Sequence, residues 1–475
     1  DHRDLHSFPT RRSSDLQDIY QNTDLNGNIT FTDGGNINIY GGNGNSQWAQ
    51  GGNASITMNG GTLDFKDQGI TLTVLSPNTI TENITGGTIR TSGGFFCNRS
   101  DFTPSGGTLE FTGSNNVNLE QYAGSLRNIR INKSNGASVE VGSNLTCVTI
   151  DVDEGRINAE NKIITLNGHL NVNDAGIYRM AGGAQLKIAA EMSVNVNSGG
   201  YFYAIGAMGN ECVVTRQTSN YYYFNVNGGA TISTRYTRYE YSANIILSPD
   251  AIIDPAVPFD YCTFSHGQGT YILFNSNQEL TIHGANFPTL PPTNTVAKTI
   301  NQGRITFRDA TGAYSGPGYE YDPYNRIDWT ITQPGLWTGA VSTNWYTAGN
   351  WDDGQVPNAG TDVVIPVSAP NMPVIGAGDS YINSLTVNGS LNLAGGNLTV
   401  YGNSSFTGEL LMTSSGSQFI ALGDVAWNAG SSAEIDLDVT LVCNGNWNFN
   451  AGSAAHFNNG KVIFAGTTTK WIRSY

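Results

Sequence analysis

Positive charge is scarce in this 475-residue chain. Lysine and arginine number 23 against 38 aspartates and glutamates, a net charge of −15, and charged residues make up only 13% of the whole. With no basic patch to meet a phosphate backbone, the sequence argues against nucleic acid as a partner. Long apolar runs are missing as well. None approaches the roughly 18 residues a membrane-spanning helix requires. Cysteine is sparse: Cys97, Cys147, Cys212, Cys262 and Cys443 lie far apart, with no CxxC and no histidine at ligand spacing. That pattern argues against a metal site and points to buried free thiols. Helical periodicity is absent too, since no 3.6-residue pattern lasts ten residues.

What the chain has in quantity is glycine, 58 residues, and asparagine, more than fifty, with threonine and serine close behind. Such a composition often marks disorder. Here a regular apolar alternation runs through it. In Gly107-Thr-Leu-Glu-Phe-Thr-Gly113, Leu109 and Phe111 share one face and the polar residues the other, which describes a short half-buried strand between turn glycines. The pattern Gly-x-(Leu/Ile/Val)-x-Phe recurs at Gly27, Gly61, Gly107, Gly303 and Gly460. Units starting at Gly61, Gly87 and Gly107 are 26 and 20 residues apart, about one coil of a parallel β-helix. A β-sandwich array also uses short strands and frequent turns, but these units are too short to close one.

The expected fold is therefore all-β: a parallel β-helix in two solenoid segments separated by a tryptophan-rich capping module. The first segment covers 17–335, loosening into a tyrosine-rich part from about 197. The module covers 336–380, with Trp337, Trp345 and Trp351 followed by Pro357, Pro366, Pro370 and Pro373. The second segment covers 381–475, where Leu385, Leu391 and Leu398 fall at the spacing that the three sides of a coil require. Val462, Phe464, Gly466, Ile472 and Tyr475 match Leu109, Phe111, Gly113, Leu119 and Tyr122 without a gap. The reading accordingly expects a truncated solenoid with an unpaired edge at Phe464 and Ile472.

Candidate chemistry is thin. Asp151 and Asp153 alternate onto one face with Arg156 close behind, a spacing that could hold a cation or support an acid–base pair. Ile435-Asp436-Leu-Asp438-Val repeats the motif elsewhere, which favours a solvated outer face. Tyr221, Tyr222, Tyr223, Tyr236, Tyr239 and Tyr241, with Arg235 and Arg238 among them, offer either a platform for sugar rings or aromatic ladders stacked from coil to coil. The stretch from Asp24 begins like a calcium loop but lacks the glycine and glutamate such a loop needs, and the glycine cluster from Gly41 lacks the aspartate of calcium-binding repeats. His266 and His283 are about one coil apart, a distance to be checked. No metal and no cofactor are expected.

Two resemblances add to this. Residues 1–16, DHRDLHSFPTRRSSDL, are similar to a translated sequencing adapter, which implies that they lie outside the fold. Trp337-Thr-Gly-Ala-Val-Ser-Thr-Asn-Trp345, Gly349-Asn-Trp351, Val356-Pro357, Asp362-Val-Val-Ile-Pro366 and Ser384-Leu-Thr-Val387 resemble a module heading parallel β-helix repeats in large secreted and surface proteins of Bacteroidetes-like bacteria. Gly86-Gly-Thr-Ile-Arg-Thr and Leu126-Arg-Asn-Ile-Arg-Ile-Asn resemble the repeat bodies of those adhesin-like proteins. The resemblance implies secretion or cell-surface display, associated with the type-nine route, and carries over no catalytic residue. The expected function is a non-catalytic structural or adhesive solenoid, with extracellular or cell-surface glycans as partners. The alternative is a carbohydrate-active β-helix, a lyase, hydrolase or glycan-binding module, using the tyrosine-rich region and Asp151/Asp153.

Overall fold

A computed structural model describes residues 17–19, 28–31, 36–39, 46–48, 53–66, 68–73, 78–436 and 438–474. Residues 1–16, the calcium-loop-like start at Asp24, the glycine cluster from Gly41 and Tyr475 lie outside them. Short parallel strands stack into a β-solenoid of about 19 turns with almost no helix. The chain divides into two compact units between Thr330 and Ile331.

In the first unit each turn of chain adds one strand to a growing face. Thr108–Phe111, Asn128–Asn132, the start of Thr149–Glu160, Leu170–Val172 and Ser193–Val196 lie in parallel register on the first face. Leu109, Ile129, Ile150, Leu170 and Val194 are therefore equivalent positions, and all point inward and are buried. Val117–Gln121 and Gly176–Ala181 belong to the second face, and Ile163–Leu166 and Gln185–Ile188 to the third. Alternation decides the interior: each strand turns alternate apolar residues inward, and each buried aliphatic side chain contributes about 1.5–3 kcal/mol. Bulkier coils stack rings instead. Tyr178 lies on Phe202 at 5.5 Å, Phe264 on Phe287 at 5.4 Å and Phe307 on Trp329 at 4.6 Å.

The corner between the second and third faces repeats one backbone state. Asn161, Gly182, Tyr236, Tyr261, Gly284 and Asp309 all sit in the left-handed region, with φ between 47° and 61°. From Tyr236 on, each corner N–H donates to a carbonyl one coil further along: Tyr236 to Asp260, Tyr261 to His283, Gly284 to Arg308. Side chains other than glycine and asparagine rarely accept this geometry. Tyr236 and Tyr261 hold it with their rings stacked at 4.8 Å, and Gly284 leaves room above: a Cβ there would lie 2.5 Å from the Tyr261 ring.

The opposite corner buries two cations. Lys133 and Lys298 each follow a first-face strand and are fully buried. Lys133 Nζ donates to the Thr112 carbonyl at 2.5 Å, and Lys298 Nζ to the Ser276 carbonyl at 2.8 Å. Burial pushes both down to about 8, with Asp322 opposing part of the shift at Lys298. The penalty for holding them charged is complete below that pH. As pH rises from about 8 towards the ordinary lysine value near 10.4, the unfolded chain holds protons that the folded one has released, so stability climbs. Chemical denaturation across this window should show the rise in the wild type and a flatter profile in Lys133→Met/Lys298→Met.

The second unit is a three-sided solenoid of shorter coils. Ser384–Val387, Ser390–Asn392 and Asn397–Val400 fall on three different sheets, so Leu385, Leu391 and Leu398 point inward from three sides, as their spacing requires. The tryptophan-rich stretch is continuous with this solenoid. Asp362–Ile365 and Asp379–Ile382 pair with Ser384–Val387 and Asn397–Val400. Trp337, Trp345 and Trp351 are buried in the same core, Trp351 edge-on to the other two at 4.9 and 4.7 Å. Phe464 and Ile472 are exposed.

Candidate functional site

The carboxylates singled out by sequence sit at the head of two asparagine ladders on the outer side of the first face. Asn171 donates to Asp151 at 2.8 Å, Asn195 to Asn171 at 2.9 Å and Asn225 to Asn195 at 3.0 Å. Beside this ladder Asn173 donates to Asp153 at 2.6 Å, Asn197 to Asn173 at 2.8 Å and Asn227 to Asn197 at 2.9 Å. A ladder forms because equivalent outward positions are one strand spacing apart, and an amide can accept from one neighbour while donating to the other. Its first residue needs only to accept, which an aspartate does. Asp153 also receives Arg130 at 2.5 Å. The next coils towards the N-terminus continue the row as ion pairs: Arg90 binds Glu110 at 2.7 Å and Asp64 at 3.4 Å, and Lys66 binds Asp64 at 2.6 Å.

Arg156 does not join Asp151 and Asp153. The strand Thr149–Glu160 bends at Gly155, φ +79°, so that Thr149 to Val152 pair on the first face and Arg156 pairs on the second. There Arg156 faces Arg179, one coil on and two residues along, across an open depression lined by Ile177, Tyr203 and Ile205. The Arg156 Nε is buried without a hydrogen-bond partner.

The tyrosines part three ways. Tyr222 and Tyr239 point into the coil and are fully buried, donating to the Val214 carbonyl at 3.1 Å and to Thr234 Oγ1 at 2.9 Å. Burial raises both phenols well above their ordinary value, and neither ring is available to a ligand. Tyr236 and Tyr241 belong to corner stacks: Tyr236 on Tyr261, and Tyr241 between the Arg216 guanidinium at 3.7 Å and His266 at 5.0 Å. Tyr221 is half-buried and Tyr223 points outward from the first face, 44% exposed. The six do not form one plane. His266 and His283 occupy different corners, and among the described residues no three His, Cys, Asp or Glu side chains gather as metal ligands. All five cysteines are buried and free, with burial pushing Cys212 up to about 11 and Cys262 to about 12. Among the described residues no helix is long and apolar enough to cross a membrane.

Arg179 was not singled out by sequence. Its only signal is its distance of 23 residues from Arg156, which acquires meaning once the coil length and the bend at Gly155 are known. Residues 336–441 match a family described as a domain of unknown function (DUF8693). Neither a curated protein nor a solved structure matches the chain.

Proposed function

We propose that this chain is a structural and adhesive β-solenoid displayed outside the cell, working by contact and not by turnover. The observation that carries the reading is the engagement of Asp151 and Asp153 as acceptors for asparagine ladders. A general acid or base needs a proton to move at its oxygen; Asn173 and Arg130 hold both oxygens of Asp153, and Asn171 holds one oxygen of Asp151. Long rows of outward amides also suit broad, repeated contact with polyhydroxylated surfaces, where many weak interactions add. The resemblance of 337–387 to modules of secreted surface proteins supports an extracellular setting.

Glycan contact is the part of the carbohydrate-active alternative that a specific observation favours. Arg156 and Arg179 face an outward depression walled by Tyr203, and two guanidinium groups without ion-pair partners among the described residues suit a carboxylate or sulfate. The test is a panel of neutral and acidic polysaccharides offered to the whole chain, scored separately for retention and for new reducing or unsaturated ends. Retention without product is expected; steady product release would overturn the non-catalytic reading.

A further inference from the structure

The second unit carries three outward tyrosines that the ladders and stacks of the first do not explain. Tyr346 is 38% exposed, Tyr381 45% and Tyr401 47%, and all three line one open groove of about 470 Å³. Tyr381 projects from Asp379–Ile382. The neighbouring coil, Asn397–Val400, leads into Tyr401, one outward position further along than Thr399, which pairs with Tyr381. Strand spacing and rise put their Cβ atoms about 8 Å apart. Tyr346 is laid along the groove by contact with Ser380, whose Oγ donates to its hydroxyl at 3.3 Å, and by Gly378, where a Cβ would come within 2.8 Å of that hydroxyl. Val356, Pro357, Asn358 and Ala359 complete the lining. Among the described residues none of the three rings stacks on another, and all three remain partly exposed.

The groove offers one carboxylate acceptor and one amide donor. Asp379 is exposed, and its Oδ1 accepts from Asn397 at 2.8 Å. Asn358 uses its carbonyl oxygen to accept from the Gly360 N–H at 2.9 Å, which leaves its amide hydrogens to donate. No lysine or arginine occurs from Ile331 to Gly460, where nine aspartates and glutamates do. An anionic ligand would find no counter-charge. A compact cation would favour rings converging on one point within about 6 Å, and these are spread along a trough. What remains is an extended, uncharged ligand with flat apolar faces and many hydroxyls.

We infer that this groove binds a neutral polysaccharide, with sugar rings stacked on Tyr381 and Tyr401 and hydroxyls shared between the Asp379 carboxylate and the Asn358 amide. Aromatic walls with a few placed polar groups are the ordinary make-up of a ligand site. The inference rests on the adhesive reading and supplies it with a contact site inside the segment matched by the family of unknown function.

The test is affinity electrophoresis of the whole chain through gels containing β-glucan, galactomannan or xyloglucan, with polygalacturonate, dextran sulfate and a choline-bearing matrix alongside. At least one neutral polymer should retard the wild type. Tyr381→Ala/Tyr401→Ala should weaken that retardation about tenfold, a loss of about 1.4 kcal/mol shared between the two stacking contacts. Tyr223→Ala, exposed on the first unit, should leave it unchanged. Both positions are surface ones, and unaltered circular dichroism will exclude misfolding. Retardation by a neutral polymer that survives the double variant would overturn the site while leaving the adhesive reading intact. Retardation only by the acidic polymers or by choline, or by nothing, would overturn the ligand class.

Discussion

Tyr239→Ala should destabilise the first unit by about 3–5 kcal/mol, the range for removing a large buried aromatic side chain. Tyr239 is 1% exposed and packs on Phe264 at 5.6 Å and against Phe224 at 5.8 Å. Its hydroxyl also donates to Thr234, so truncation leaves a cavity and strips the buried Thr234 hydroxyl of its stronger partner, with only the Cys262 thiol at 3.6 Å remaining. Tyr239→Phe keeps the stack and removes only the hydrogen bond, at about 0.5–1.5 kcal/mol. Tyr223→Ala, on the outer side, should stay within about 0.5 kcal/mol of the wild type. Because coils interact mainly with their neighbours, the loss should be local. Hydrogen exchange should report faster opening of the coils around Tyr239 and little change near Leu109. A Tyr239→Ala protein that was fully stable yet had lost glycan retention would return this residue to the binding platform.

Asn350→Ala should undo the tryptophan-rich start of the second unit, at about 2–4 kcal/mol for a buried amide whose partners are left without it. The Asn350 side chain is completely buried and ties one loop together. Its Oδ1 accepts from the Val341 and Ser342 N–H groups at 2.9 and 2.8 Å, and its Nδ2 donates to the Asn344 carbonyl at 2.8 Å. Its backbone carbonyl accepts from the Thr338 N–H at 2.7 Å. These bonds hold the chain between Trp337 and Trp351 in the one path that lets the three indoles meet. Without them the tryptophans gain water, and fluorescence emission should shift to longer wavelength at a denaturant concentration that leaves the wild type unchanged. Asn350→Asp is isosteric but replaces two donors with acceptors and buries a charge, so it should cost at least as much. An unshifted emission profile in both variants would show that the loop is held by the indoles alone.

Most of the fold was legible because a solenoid is written locally. Alternation places Leu109 and Phe111 inside, and glycine spacing places Leu385, Leu391 and Leu398 on three sides, with no long-range information needed. The sites were less legible because they depend on where the coil turns. Asp151, Asp153 and Arg156 look like one cluster until Gly155 bends the strand, and the glycine itself was the available signal. The same alternation that builds the core applies to Tyr221, Tyr222 and Tyr223: consecutive residues cannot all face outward, and Tyr222 is the inward one. Tyr236 and Tyr241 fall at corners in left-handed geometry, which no single-chain propensity assigns to tyrosine. Tyr346, Tyr381 and Tyr401 are 35 and 20 residues apart, and only the coil path brings them to one groove.

On the proposed reading the outer carboxylates Asp151 and Asp153 anchor hydrogen-bonded ladders and perform no chemistry. Asp151→Asn/Asp153→Asn tests it most directly, because an asparagine can accept from Asn171 and Asn173 as the aspartate does, while it cannot act as a general base. Product release and retention on the polysaccharide panel should be measured for wild type and variant together, with thermal unfolding as the control. Neither protein should release product, retention should be equal, and stability should stay within about 1 kcal/mol, the cost of weakening the exposed Arg130 pair. Product released by the wild type and abolished in the double variant would contradict that reading.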